Sequence, residues 1–180
     1  MEFTIKTVHS NDYQQIDSII KQAFEQSDLD YNVEVEIVHS LRKLADYDLQ
    51  LEIGAYYNDT LIGMGLLSSG YIKKENQILK GMILAPLAVD PSFQKQGAGK
   101  QIISQLEKRA AELEIPFIHL VGHPEYYQKL GYSPISNWNL ISVLTGPSDA
   151  FMLKKLIDNS LANSKTGKYT TTVFLSHNYV

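Results

Sequence analysis

Cysteine is absent from all 180 residues, which excludes disulfide frameworks, thiolate nucleophiles and cysteine-ligated zinc and fits a reducing compartment. No apolar run reaches the roughly 18 residues of a membrane-spanning helix. The opening residues, Met1-Glu2-Phe3-Thr4-Ile5-Lys6, lack the basic region and apolar stretch of a secretory leader. A soluble, cytoplasmic protein is expected. Positive charge is scarce: 16 Lys and Arg face 20 Asp and Glu, a formal net charge of -4, the opposite of a chain that must neutralise many phosphates. No nucleic-acid and no membrane partner is expected. Repeats, low-complexity tracts and interdomain linkers are also missing. With 44% apolar side chains, a chain of this length can bury about 70% of its unfolded surface around one core, so a single domain over residues 1–180 is expected.

The periodicity of the apolar residues orders the elements. Phe3 to Val8 alternates as a half-buried strand. Asn11 as N-cap with Gln14 as its capping-box partner opens a helix carrying Ile16, Ile19, Ile20, Ala23 and Phe24 on one face. Ile37, Val38, Leu41, Leu44 and Ala45 repeat the spacing in a second helix, with Glu36, His39 and Lys43 outward. Leu49–Tyr57 and Leu61–Ile72 read as a hairpin turned at Asn58-Asp59, and Ile78–Val89 as a third strand after a polar turn at Lys73–Asn76. From Gly97 the period is helical again, with Ile102, Ile103, Leu106, Ala110 and Leu113 inward. Phe117–Val121 is a further strand, Pro124–Leu130 a short helix stopped at Gly131, and Leu140–Leu144 and Thr171–Leu175 closing strands, with a polar stretch from Asp158 to Lys168 before the last.

The most informative stretch runs from Pro86 to Lys100: a strand, a turn holding Pro91, then Gln94-Lys95-Gln96-Gly97-Ala98-Gly99-Lys100 at a helix start. Glycine lets backbone approach a phosphate closely, and the free N–H groups and dipole of a helix start favour an anion. Lys95 and Lys100 add whole charges. A phosphate-binding loop ending in Gly99-Lys100 needs glycine at Gln94 and Ser or Thr at Gln101, and a dinucleotide fingerprint from Gly97 needs glycine at Ile102, so both readings fail. What remains, Gln94-x-x-Gly97-x-Gly99 after Leu87-Ala88-Val89-Asp90-Pro91, resembles motif A of the GNAT superfamily of N-acetyltransferases.

That resemblance implies a mixed α/β fold: a mostly antiparallel twisted sheet of about six or seven strands, flanked by about four helices. It also implies acetyl-CoA as co-substrate, with its pyrophosphate on Gln94, Lys95, Gln96, Gly97, Ala98, Gly99 and Lys100. Pro86 independently suggests an opening in the sheet, since a proline inside a strand forfeits a ladder hydrogen bond. In GNAT proteins the pantetheine arm pairs along a splayed strand. Carried over, the backbone of Leu87, Ala88 and Val89 would hold it, the Leu87 N–H facing the thioester oxygen.

Amine attack on a thioester creates an oxyanion and expels a thiolate, so a proton source near sulfur is required. Pro124-Glu125-Tyr126-Tyr127-Gln128-Lys129-Leu130-Gly131-Tyr132 resembles GNAT motif B. The resemblance implies Tyr127 as general acid. Adjacent tyrosines cannot share a helix face, so at least one of Tyr126 and Tyr127 is expected to be a packing residue. The strand Met82–Val89 offers no base. Glu36 and His123 are the candidates, each with a plainer reading as a solvated surface acid or a loop histidine, and water is an alternative relay. His119 and His123 do not form His-Glu-x-x-His, and no metal is expected.

The resemblance is strong from Met82 to Tyr132, weaker before, and loose after Trp138, where Asp149-Ala150-Phe151-Met152 and the polar insert depart from the minimal pattern. It resembles a bacterial branch whose acceptors are mostly unassigned. A small-molecule or peptide amine is the expected acceptor, its pocket between the Glu25–Asn32 loop and the late segment, with Asp28, Asp30, Glu34 and Glu36 favouring a cation. A homodimer is left open. The competing classes are a non-catalytic acyl-CoA-binding sensor or regulatory domain and a partner-binding interaction protein.

Overall fold

The computed structural model describes residues 1–25, 31–74, 77–142, 146–157 and 169–172. The chain divides into two compact units, Met1–Ser68 with Ala85–Arg109 and Ser69–Leu84 with Ala110–Val180.

In the first unit, β1 (Thr4–Thr7) pairs antiparallel with β2 (Glu52–Tyr57), and β2 with β3 (Thr60–Lys74). The β2–β3 turn is Asn58-Asp59, with φ of 46° and 61°. Positive φ at both central residues matches the right-handed twist of the strands, and Asn and Asp tolerate it best after glycine. β4 (Gln77–Val89) follows β3 in the sheet order, and both strands run on into the second unit. Helix α1 (Tyr13–Phe24) buries Ile16, Ile19 and Ile20, and α2 (Tyr31–Leu41) buries Val38 and Leu41. Leu44 and Ala45 share the helical spacing but lie in the turns beyond α2. The start of α1 also differs from the expected cap at Asn11. A 3-10 turn, Ser10–Asp12, precedes the helix, and the Asp12 carboxylate accepts the His9 N–H at 2.8 Å and the Tyr56 hydroxyl at 2.6 Å.

A charged network sits beneath these helices. Glu52 on β2 is fully buried and accepts both the Nη2 and the Nε of Arg42, the latter at 3.1 Å. The Tyr47 hydroxyl donates to the same carboxylate at 2.6 Å, and the Arg42 guanidinium lies 3.6 Å from the centre of the Tyr13 ring. Burial and then the bonded carboxylate push the Tyr47 phenol far above its ordinary range, so it stays a donor. The ladder thus joins α1, the end of α2 and the sheet.

In the second unit the order continues from β4 to β5 (Phe117–Val121), β8 (Phe151–Lys155) and β6 (Ser133–Pro134). β9 (Tyr169–Thr172) pairs antiparallel with β3, and β7 (Leu140–Ser142) lies parallel to β9. Phe117, Ile72, Ile135, Leu140, Phe151 and Leu153 form the core, with Leu79 and Trp138 packed against them. Seven strands make the main path, and β7 and β9 lie off it. This is the mixed, mostly antiparallel sheet that the sequence implied. Two details differ. β8 was read as a departure from the pattern but is an inner strand, and the last strand begins at Tyr169, two residues before the expected Thr171. Residues 173–175 of that expected strand, like 158–168, lie outside the described residues.

β4 and β5 are parallel, in register at Met82↔Ile118 and Ile83↔His119. The ladder therefore stops short of Pro86, where proline removes a donor, while β4 itself continues to Val89.

Candidate active site

The first unit holds the whole stretch from Leu87 to Lys100. At the end of β4, Asp90 donates its N–H to the Ile62 carbonyl at 2.9 Å, and its side chain accepts the Ser92 N–H at 2.8 Å, starting the 3-10 turn Pro91–Phe93. The Gln94 amide donates to the Val89 carbonyl at 3.0 Å, and the Gln96 amide to the Ser92 carbonyl, also at 3.0 Å. Both glutamines thus brace the loop, a role the sequence did not reveal. Lys95 (φ 61°) and Gly97 (φ 95°) then reverse the chain through the left-handed region. The Gly97 carbonyl accepts from the Gln101 N–H at 3.1 Å and so begins helix α3 (Ala98–Glu112). The first N–H groups of such a helix have no acceptor within it. A Cβ on Gly97 would meet nothing within 4 Å, and Lys95, Gln96 and Lys100 are exposed. The turn is open to solvent, cationic, and lined with helix-start donors. Its charge and donors are those that suit an anion.

What brings α3 so close to the sheet is a pair of glycines on β3. A Cβ at Gly65 would lie 2.6 Å from Ile102 Cγ2 and 3.1 Å from Leu106 Cδ1, and one at Gly63 would lie 3.1 Å from the Ala88 carbonyl oxygen. Leu87 is half-buried on this side, its Cδ1 3.4 Å from the same Gly65 position, and Ala88 is buried. Sequence reasoning named Leu87 and Ala88 but missed Gly63 and Gly65. Glycines at alternate positions of an apolar strand are the signal that could have found them.

Tyr127 belongs to the second unit. Helix α4 (Pro124–Tyr127) begins with proline, continues as a 3-10 turn, Gln128–Leu130, and ends at Gly131 with φ 88°. The His123 carbonyl accepts the N–H groups of Tyr126 (3.1 Å) and Tyr127 (3.2 Å), and the Tyr127 carbonyl accepts the Tyr132 N–H at 3.1 Å. The ring of Tyr127 occupies the space that a side chain at Gly122 would fill, since a Cβ there would lie 2.3 Å from Tyr127 Cε2. Tyr126 and Tyr132 meet it edge-on, with centroids 5.0 and 5.7 Å away. Burial, and then the neighbouring Tyr126, push the Tyr127 phenol above its ordinary range. At neutral pH it keeps its proton.

The other named residues are placed more plainly. Glu36 is exposed on α2, whereas Glu34, two residues earlier, is half-buried with its carboxyl raised by burial. His123 is exposed and caps α4 through its carbonyl. Asp28 and Asp30 lie outside the described residues. Among the described residues no three His, Asp or Glu side chains gather as metal ligands, and no helix is long and apolar enough to cross a membrane.

His119 on β5 was considered only as a failed metal ligand, yet it is the most unusual group of the second unit. It is 1% exposed, and among the described residues neither ring nitrogen has a hydrogen-bond partner. Burial pushes the imidazole down to about 4 from the ordinary 6.5. The folded protein keeps it neutral while the unfolded chain takes up a proton, so stability present above pH 6.5 is lost as pH falls toward 4. By linkage the loss is about 3 kcal/mol. Urea unfolding of His119→Leu between pH 7 and 4.5 is expected to show a shallower decline than the parent, and parallel curves would remove His119 as the cause.

Comparison with known proteins bears on both units. The sequence profile described as "Acetyltransferase (GNAT) family" matches residues 13–132. The chain belongs to the GNAT acetyltransferase family. Among its GNAT relatives, the N-acetyltransferase YhbS of Escherichia coli strain K12 is 26% identical over 152 residues, 84% of this chain and 86% of that protein. YjhQ of the same strain is 26% identical over 132 residues, 73% and 70% of the two chains. The crystal structure of E. coli YhbS in complex with CoA superposes with a TM-score of 0.79 at 24% identity, covering 96% of this chain and 91% of that one. A GNAT acetyltransferase of Brucella melitensis in complex with acetyl-CoA superposes at 0.67 and 20% identity, covering 86% and 88%. As a GNAT member the chain is an acyltransferase that takes acetyl-CoA as its donor. The open turn from Gln94 to Lys100 fits a diphosphate in charge and in backbone conformation.

Proposed function

We propose that this protein, working as a single acetyltransferase domain, transfers the acetyl group of acetyl-CoA directly to a primary amine of a small molecule or peptide. The observation that carries the proposal is the turn at Gly97, where left-handed backbone opens a cationic helix start to solvent and a Cβ added to the glycine would meet nothing within 4 Å. The backbone from Gln94 to Lys100 binds the pyrophosphate. Leu87, Ala88 and Val89 hold the pantetheine arm along β4, past the point where the ladder to β5 ends, and the Leu87 N–H stabilises the thioester oxyanion. The amine nitrogen attacks the thioester carbon, the C–S bond breaks as the amide forms, and Tyr127 protonates the departing thiolate. The amine's own proton leaves through water to Glu36 or His123, both exposed. With no cysteine in the chain, no thioester forms on the enzyme.

The test is release of free thiol from acetyl-CoA against a panel of amines: polyamines, aminoglycosides and lysine peptides. An amine-dependent thiol signal with a matching acetylated product is expected. Stabilisation by CoA with no amine-dependent thiol would identify a binder that transfers nothing, and no stabilisation by CoA would remove the cradle. Gly97→Val addresses the cradle alone. A β-branched residue at that φ carries about 1–3 kcal/mol of strain and would fill the open space. CoA affinity measured by calorimetry is expected to fall by about tenfold or more, since about 1.4 kcal/mol is a factor of ten. Unchanged affinity would place the pyrophosphate elsewhere.

A further inference from the structure

Lys154 lies on β8, opposite Ile118 of β5, on a strand paired on both sides. A half-buried lysine on an inner strand is costly unless its ammonium has a defined acceptor. Here Nζ donates to the Leu130 carbonyl at 2.8 Å, at the close of the turn that carries Tyr127. Leu130 falls where a short helix runs out of internal donors, so a cation there offsets both an orphan carbonyl and the negative end of the helix dipole. Gly131 is placed there by its φ of 88°, and the lysine stem runs beside it, since a Cβ on it would stand in ordinary contact, 3.4 Å from Lys154 Cε and 3.6 Å from Nζ. The ammonium also lies 5.6 Å from the centre of the Tyr132 ring, whose edge meets Tyr127.

From this geometry we infer that Lys154 is a positioning residue for Tyr127. The inference rests on Tyr127 as general acid. Two routes run from the ammonium to the phenol. One passes through backbone: Lys154 fixes Leu130, Gly131 turns the chain, and the Tyr132 N–H returns to the Tyr127 carbonyl. The other passes through rings: the cation holds the face of Tyr132, and Tyr132 holds the ring of Tyr127 against Gly122. Proton transfer depends steeply on placement, so loosening this turn lowers the chemical step without touching residues that bind the CoA pyrophosphate.

The experiment measures kcat and KM for acetyl-CoA in Lys154→Met and Lys154→Arg, each alone and combined with Tyr127→Phe. Methionine keeps the stem and removes the donor, and kcat is expected to fall about tenfold with KM changed less than about twofold. Arginine keeps a donor and restores most of the loss. In the Tyr127→Phe background, Lys154→Met is expected to cost no further activity, because its effect passes through the missing hydroxyl. Undiminished kcat in Lys154→Met, or an equal loss with and without the Tyr127 hydroxyl, would overturn the inference while leaving Tyr127 as acid. Unchanged turnover in Tyr127→Phe alone would instead overturn the role of Tyr127. If the methionine variant does not fold, Lys154→Leu, which likewise removes the donor, takes the same measurements under the same criteria.

Discussion

Tyr127→Phe is expected to lower kcat by about 10²–10⁴, the usual worth of a positioned general acid, with CoA affinity nearly unchanged. The substitution removes one oxygen and leaves the ring, so its fit at Gly122 and its edge contacts with Tyr126 and Tyr132 persist. Melting temperature should stay close to that of the parent. The direction of the phenol's shift adds a second expectation. Because burial holds Tyr127 protonated well above its ordinary range, activity should show no loss on the alkaline side from its ionisation up to at least pH 9. Single-turnover measurements of thiol release separate chemistry from product release. If the phenylalanine enzyme matches the parent in those measurements, another group delivers the proton.

Arg42→Met is expected to cost about 3–5 kcal/mol of stability, the usual consequence of leaving a buried charge without its partner. Glu52 is fully buried, and its carboxylate has the Arg42 guanidinium as its counter-charge, with the Tyr47 hydroxyl as a neutral donor. Methionine keeps volume over the Tyr13 ring but supplies neither charge nor N–H. Urea unfolding at pH 7 gives the loss. The informative control is Arg42→Met with Glu52→Leu, because removing both charges leaves an apolar pair with no desolvated ion. The double variant should recover most of the stability. If it is no better than the single one, shape and not charge is what Arg42 supplies.

Some of this architecture was legible because local chemistry and tertiary demand agree. Asn58-Asp59 marks a hairpin turn whatever surrounds it, and Phe117–Val121, bounded by Pro116 and Gly122, reads as a buried strand and is one. Other parts depend on partners distant in sequence. Leu44 and Ala45 continue a helical spacing, yet the chain turns after Leu41 as Arg42 reaches Glu52. Phe151–Lys155 ends in two lysines and resembles a surface segment. Its inner place follows from β5 and β6, and from the carbonyl that Lys154 reaches.

The site divides the same way. The glycine turn was legible because backbone that passes through the left-handed region favours a local glycine pattern, and Tyr127 stood out from Tyr126 through the motif it shares with a family. What supports each was not. Gln94 and Gln96 look like ligand-facing polar residues, yet both side-chain amides bond the loop's own carbonyls. His119 gave no local hint of its neutral, unpartnered state, because that follows from burial by strands on either side.

The bare faces of Gly63 and Gly65 limit how this protein can be made hardier. Replacing glycine by alanine at compatible sites is a common route to heat resistance, and β3 offers two inviting targets. Either swap would lift the floor under the helix whose first turn is proposed to receive the donor's diphosphate, so a thermostable variant obtained that way should be a poor catalyst with a well-folded core.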